Sequence, residues 1–161
     1  MGGAEWLSRE GHRMLQLGFL LFLFGLLAGF AVPSFAVPRL GLTTHVLGVT
    51  QGVFLIVVGL LWPKLKLTRT TSGIGFWLAG YSCFVSWAVT LLAGVWGAGS
   101  SMMPIAAGQA RGSRVQEGII ATGLMTAAAT LIALTILILW GLRAVTPEEQ
   151  TSGEGHTKSA A

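Results

Sequence analysis

Residues 14–32 read Met14-Leu-Gln-Leu-Gly-Phe-Leu-Leu-Phe-Leu-Phe-Gly-Leu-Leu-Ala-Gly-Phe-Ala-Val32, without one acidic or basic side chain. A helix needs about 20 residues to cross the hydrocarbon of a bilayer. Backbone N–H and C=O groups in lipid have no water to bond, so a run of this kind must be helical. Pro33 and Pro38 close it. Similar runs follow over 43–62, 73–96 and 118–142; Pro63 ends the second and Pro147 follows the last. The expected fold class is therefore all-α: a four-transmembrane-helix bundle formed by residues 1–145. Trp62, Trp77, Trp96 and Trp140 fall near the ends of the runs, where an indole suits the membrane interface. Residues 146–161 are rich in Glu, Ser, Thr and Gly and read as a disordered cytoplasmic tail.

Composition agrees. Of the 161 residues 53% are hydrophobic and only 10% charged, well below the roughly 25% charge of a soluble domain. Mean hydropathy is +0.73. The net charge of +4 lies in short segments between apolar runs rather than in one patch, which favours a lipid bilayer over nucleic acid as partner. Arg9, Arg13, Lys64, Lys66, Arg69, Arg143 and Lys158 fall on one side, and Arg39, Arg111 and Arg114 on the other. The larger set marks the cytoplasmic side, with both termini there. Arg9 and Arg13 before the first run and Ser34-Phe-Ala36 after it imitate a signal peptide. The run exceeds the roughly 7–15 residues of such a core, so it is expected to stay as a span.

The residue that most needs explaining is His45, in Gly41-Leu-Thr-Thr-His-Val-Leu-Gly-Val-Thr-Gln-Gly52. An imidazole just inside a bilayer calls for a metal, a cofactor, a proton path or a polar partner helix. At ~100° per residue, Gly48 and Gly52 lie on the same helix face as His45. This strip suits either a planar macrocycle or close packing of a second helix. Gly25 and Gly29 form a like pair on the first helix. Ser82, Ser86 and Thr90 make one stripe on the third helix, and Thr122, Thr126 and Thr130 one on the fourth. Both stripes are expected to point inward as hydrogen-bonding glue. Tyr81, Ser86 and Trp87 are candidates to line a substrate pocket; the aromatic pair would equally fill the bundle.

Several chemistries are excluded. A carboxylate-based antiporter needs an acid within a span, and Glu117 stands only at the edge of one. One cysteine, Cys83, permits no disulfide, redox pair or cysteine-rich zinc site. A bis-histidine cytochrome needs two opposed imidazoles. His12 and His45 begin helices on opposite sides of the membrane, and His156 is in the tail. One imidazole suffices for a five-coordinate haem with an open face, suited to Lewis-acid chemistry. On this residue alone, an interfacial histidine and a haem ligand both stay open.

Four stretches together resemble the hydroxylaminobenzene mutases: Glu5-Trp-Leu-Ser-Arg-Glu-Gly-His-Arg13, Phe19–Pro33, the His45 segment, and Leu91-Leu-Ala-Gly-Val-Trp-Gly-Ala-Gly-Ser-Ser-Met-Met-Pro-Ile-Ala-Ala107. The Trp-Gly-Ala-Gly and Met-Met-Pro-Ile-Ala elements are specific; the apolar first helix is not. This resemblance implies an isomerase that rearranges a small aromatic hydroxylamine, hydroxylaminobenzene, to 2-aminophenol. The hydroxyl shift is intramolecular and belongs to bacterial nitroarene degradation, in the inner membrane.

A more distant resemblance is to the styrene oxide isomerases, small four-helix membrane enzymes that bind haem b through one histidine between subunits of a homotrimer. Their histidine is followed, after five residues, by Asn-Gly; here Gln51-Gly52 follows His45 at that spacing. The resemblance makes His45 the axial ligand of the haem iron and Gln51 the catalytic amide; the strip of Gly48 and Gly52 beside His45 is then the expected cofactor face. It departs at the third helix, where that family uses an Asp and a Tyr. This chain has no Asp, and Tyr81 falls about three turns from the matching position. Gln51 is six residues from His45, about 240° around the helix, so the two face one site only if it lies between subunits. The other readings are a haem-free binding or assembly subunit, and the same rearrangement by acid catalysis from His45.

Overall fold

The computed structural model describes residues 2–143, so the tail at 146–161 lies outside the described residues. The described elements are helical: α1 (Gly2–Ala31), α2 (Pro38–Leu61), α3 (Arg69–Trp96), a short α4 (Pro104–Ala107) and α5 (Arg114–Arg143). Single 3₁₀ turns occupy Val32–Ser34 and Trp62–Lys64. The four long helices are each long and apolar enough to span a membrane. The chain is a multi-pass membrane protein.

Each long helix begins before its apolar run. Turns at the water boundary are polar, so reading by apolarity clips them. Pro38 opens α2 as well as closing the first connection, since proline fits a first helical turn whose N–H has no partner anyway. Thr68 caps α3, its Oγ1 accepting the Thr71 N–H at 3.3 Å. Gly97 ends α3 at φ +65°, a left-handed conformation suited to glycine.

Backbone contact organises the α1–α2 hairpin. A Cβ placed on Gly11 would stand 2.7 Å from the Gly59 carbonyl oxygen, and one on Gly18 would stand 2.8 Å from that of Gly52. A Cβ on Gly48 would stand 2.6 Å from Cα of Gly25. Glycines of α1 thus meet glycines of α2 from one end of the hairpin to the other. Lipid offers little hydrophobic drive for helix association, so close van der Waals contact must supply it. At the α1–α2 connection buried Phe35 fits between Gly41 and Gly94, where a Cβ would come within 2.8 and 2.6 Å of its ring. Packing then runs outward from α2 to α3 and from α3 to α5.

Two side-chain placements differ from what the sequence leads one to expect. Trp62 is fully buried rather than set in the interface. Its Nε1 donates to Ser72 Oγ at 2.8 Å, and Ser72 Oγ donates to the Glu10 carboxylate. The ends of α1, α2 and α3 are tied there by polar bonds, which an aromatic at a helix end does not announce. The second difference concerns α5. Ser82, Ser86 and Thr90 are buried as expected, with Ser86 and Thr90 bonding carbonyls one turn back. Thr122 and Thr126 instead lie exposed on the protomer, because the buried face of α5 is the one with Ile120, Ala127, Leu134 and Gly141, which packs on α3 and, at Gly141, on Leu65 and Leu67 of the α2–α3 connection.

Gly25→Leu is expected to lower the thermal unfolding midpoint in detergent, by an overpacking cost of about 1–3 kcal/mol. Gly73→Ala, which meets open space, should leave it unchanged or raise it slightly, since alanine is the better helix former. Equal midpoints for the two variants would contradict the glycine contact.

Candidate active site

His45 sits in the first half of α2 and turns toward α1. Its Nδ1 lies 2.8 Å from the Gly25 carbonyl oxygen. A carbonyl only accepts, so Nδ1 carries the hydrogen, and the neutral ring keeps its lone pair on Nε2. A Cβ on Gly29 would stand 2.7 Å from Nδ1, so glycine there gives the ring its seat. The half-buried imidazole lines an apolar pocket of about 440 Å³ with Leu26, Gly29, Phe30, Val32 and Leu42.

The described residues contain no group of three His, Cys, Asp or Glu side chains able to hold a bare metal ion. His45 offers a single nitrogen donor. That donor set fits a metal whose other ligands come with it, as in a haem. A ring N–H anchored on a backbone carbonyl is the usual support of a metal-bound histidine.

Gly48 and Gly52 do share the face of His45, but that face is covered. Gly48 abuts Gly25 and the Trp87 indole, and Gly52 abuts Phe22 and Gly18. Helix α1 fills the strip, so the two glycines are corrected from a cofactor face to a helix contact.

Gln51 points elsewhere, as the helical period requires. Ser86 Oγ donates to Gln51 Oε1 at 2.9 Å, linking α2 to α3. Ser86 Oγ is also 2.6 Å from the Ser82 carbonyl, and its one proton serves only one acceptor at a time. Trp87 stacks on Phe24 with ring centroids 5.5 Å apart. Its Nε1 is buried without a hydrogen-bond partner among the described residues. Tyr81 departs from this group. Its hydroxyl donates to Thr126 Oγ1 at 3.1 Å on the outer side of α3. Tyr81, Ser86 and Trp87 therefore do not line one pocket, and no single protomer brings Gln51 to the His45 pocket.

Residues 10–143 match the styrene oxide isomerase family. The chain belongs to that family. The isomerase is also 47% identical over 140 residues to the hydroxylaminobenzene mutase HabB of Ectopseudomonas oleovorans, covering 87% of this chain and 85% of the relative. It is 38% identical over 125 residues to the mutase HabA of the same organism, covering 78% of this chain and 93% of the relative. No solved structure matches it.

Three features around the candidate site of this isomerase were not read from the sequence. The Gly25 carbonyl is a backbone atom and has no signature. Arg39 joins Met102, Met103, Pro104 and Ile105 around a second pocket of about 530 Å³, which adjoins the first at Leu42. Its Nη1 donates to the Ile105 carbonyl at 3.4 Å. Glu117 holds the connection that carries these residues. Its carboxylate accepts the N–H groups of Gly99, Ser100, Ser101 and Gly112 and both serine hydroxyls, at 2.8 to 3.3 Å. A signal was available: Glu117 is the only acid between Glu10 and Glu148.

Glu117→Ala leaves those donors without their acceptor, and bonds to a charged group contribute about 1.5–3 kcal/mol each. Limited proteolysis should cut the 99–112 connection several-fold faster in the variant. An unchanged cleavage rate would show that the carboxylate does not hold it.

Proposed function

We propose that this isomerase converts hydroxylaminobenzene to 2-aminophenol, with haem b held by His45 and the site completed between subunits of a homotrimer. It would act in bacterial nitroarene degradation, in the inner membrane with both termini cytoplasmic. The likeness to the two mutases supports the substrate. The observation that supports haem at His45 is the Nδ1–H bond to Gly25, which leaves Nε2 as a ligand nitrogen on a ring that lines an apolar pocket. Family membership sets aside a non-catalytic assembly subunit. Acid catalysis by His45 would instead use the cationic ring, with Nε2–H as the acid and no haem on that nitrogen.

The reaction is an isomerisation. The N–O bond breaks with both electrons going to oxygen, and positive charge spreads from nitrogen into the ring. Oxygen then bonds the ortho carbon, that carbon loses its proton, and nitrogen regains one. Hydroxide is a poor leaving group, and a bound haem iron would supply the Lewis acidity that assists its departure. The chain supplies placement. The Gly25 carbonyl fixes the imidazole's orientation. Leu26, Phe30, Val32 and Leu42 keep water from the cationic ring, which water would otherwise attack at the para position. With Oε1 held by Ser86, the amide hydrogens of Gln51 are left to bond the migrating oxygen. Gln51 faces away from its own His45, so the amide comes from the neighbouring subunit.

Purified protein should form 2-aminophenol from hydroxylaminobenzene anaerobically without reductant; a reductant requirement would overturn the isomerisation. His45→Ala should lose both the Soret band and activity, whereas Gln51→Ala should keep the band and lose about 10²-fold in turnover, as for removal of an oxyanion donor. Co-expression of the two inactive variants should restore part of the activity in mixed oligomers. No restoration would place both residues in one protomer's site.

A further inference from the structure

On the outer side of α3, Gly73 and Gly80 have nothing within 4 Å of where a Cβ would lie. Between and beside them stand Trp77, 74% exposed, and Tyr81, 44% exposed. Two furrows share these aromatic residues. One, of about 550 Å³, starts at Arg69 and Thr70 and runs past Gly73 to Tyr81. The other, of about 340 Å³, continues past Gly80 to Phe84, between α3 and the Leu17 and Leu20 side chains of α1, and exposes no polar atom. From Arg69 to Phe84 the helix rises about 22 Å, enough to run from the headgroup level past the middle of a hydrocarbon core about 30 Å thick. A cation and a hydroxyl thus stand at the water end of a shallow apolar track.

We propose that this track retains one anionic phospholipid, with its phosphate at Arg69 and Thr70 and one acyl chain lying along Gly73, Trp77 and Gly80. Charge selects the headgroup. Lys64, Lys66 and Arg143 lie at the same end of the bundle, and the Glu10 carboxylate there is occupied by Ser72 and Trp62. The headgroup level is therefore basic, a pattern that attracts anionic lipid. A zwitterionic lipid offers the same chain without the net charge. A second copy of the chain is a poorer occupant. Copies in one bilayer share an orientation, so it would bring its own basic end level with Arg69.

The test uses full-length protein in phosphatidylcholine vesicles containing brominated chains on either phosphatidylglycerol or phosphatidylcholine. Bromine quenches an indole it touches, and the difference between wild type and Trp77→Phe isolates Trp77. Brominated phosphatidylglycerol should quench Trp77 at a several-fold lower mole fraction than brominated phosphatidylcholine. Arg69→Gln should abolish that preference, and Gly80→Leu should weaken quenching by both lipids. Equal quenching by the two lipids in wild type, or a preference that survives Arg69→Gln, would overturn the proposal. So would a Trp77 shielded from both lipids, which would make this face a contact between copies. Catalytic turnover is not a readout, so the outcome is independent of the reaction proposed above.

Discussion

Contact between the backbones of α1 and α2 at Gly25 and Gly48 determines where the site residues stand. A side chain on either glycine would push the helices apart, since a Cβ on one falls within 3.0 Å of the other's backbone. With the helices that close, the Gly25 carbonyl comes within hydrogen-bonding reach of an imidazole one turn along α2. Gly29 then leaves room for the ring beside it. The helix contact and the hydrogen bond of His45 to Gly25 are one structural fact seen at two scales.

Carboxylates secure the two ends of the bundle. Glu10 joins Trp62 and Ser72 where α1, α2 and α3 converge. Glu117 gathers the α3–α5 connection at the other end. Between them the packing is mostly apolar, with hydroxyls that bond their own helix, as for Thr90, and a few neutral bonds between helices, as from Ser86 to Gln51 and from His45 to Gly25. This division follows from the solvent: an unpaired charge in hydrocarbon is costly, while at the water boundary a carboxylate can organise several backbone donors at once.

The long helices were legible because their apolar runs are about as long as a bilayer's hydrocarbon core is thick, and the face shared by His45, Gly48 and Gly52 was legible from the helical period. What covers that face was not. Glycine spacing describes a surface that a flat ligand and a second helix fill equally well, and only the tertiary arrangement put α1 there. The separation of Gln51 from His45 was likewise readable from periodicity, but the bond from Ser86 to Gln51 was not, because it joins different helices. The buried Trp62 and the exposed Thr122 and Thr126 depend on which face each helix packs, and composition does not fix that.

The functional account rests on the imidazole of His45 being held through Nδ1, with Nε2 free to bind. The most direct measurement is ¹⁵N NMR of the histidine rings in cofactor-free labelled protein at neutral pH, with His45 assigned by its absence in His45→Gln. The account predicts a ring protonated on Nδ1 that gives up its Nε2 signal to the metal when haem is added. A ring protonated on Nε2, or one unaffected by haem, would contradict it.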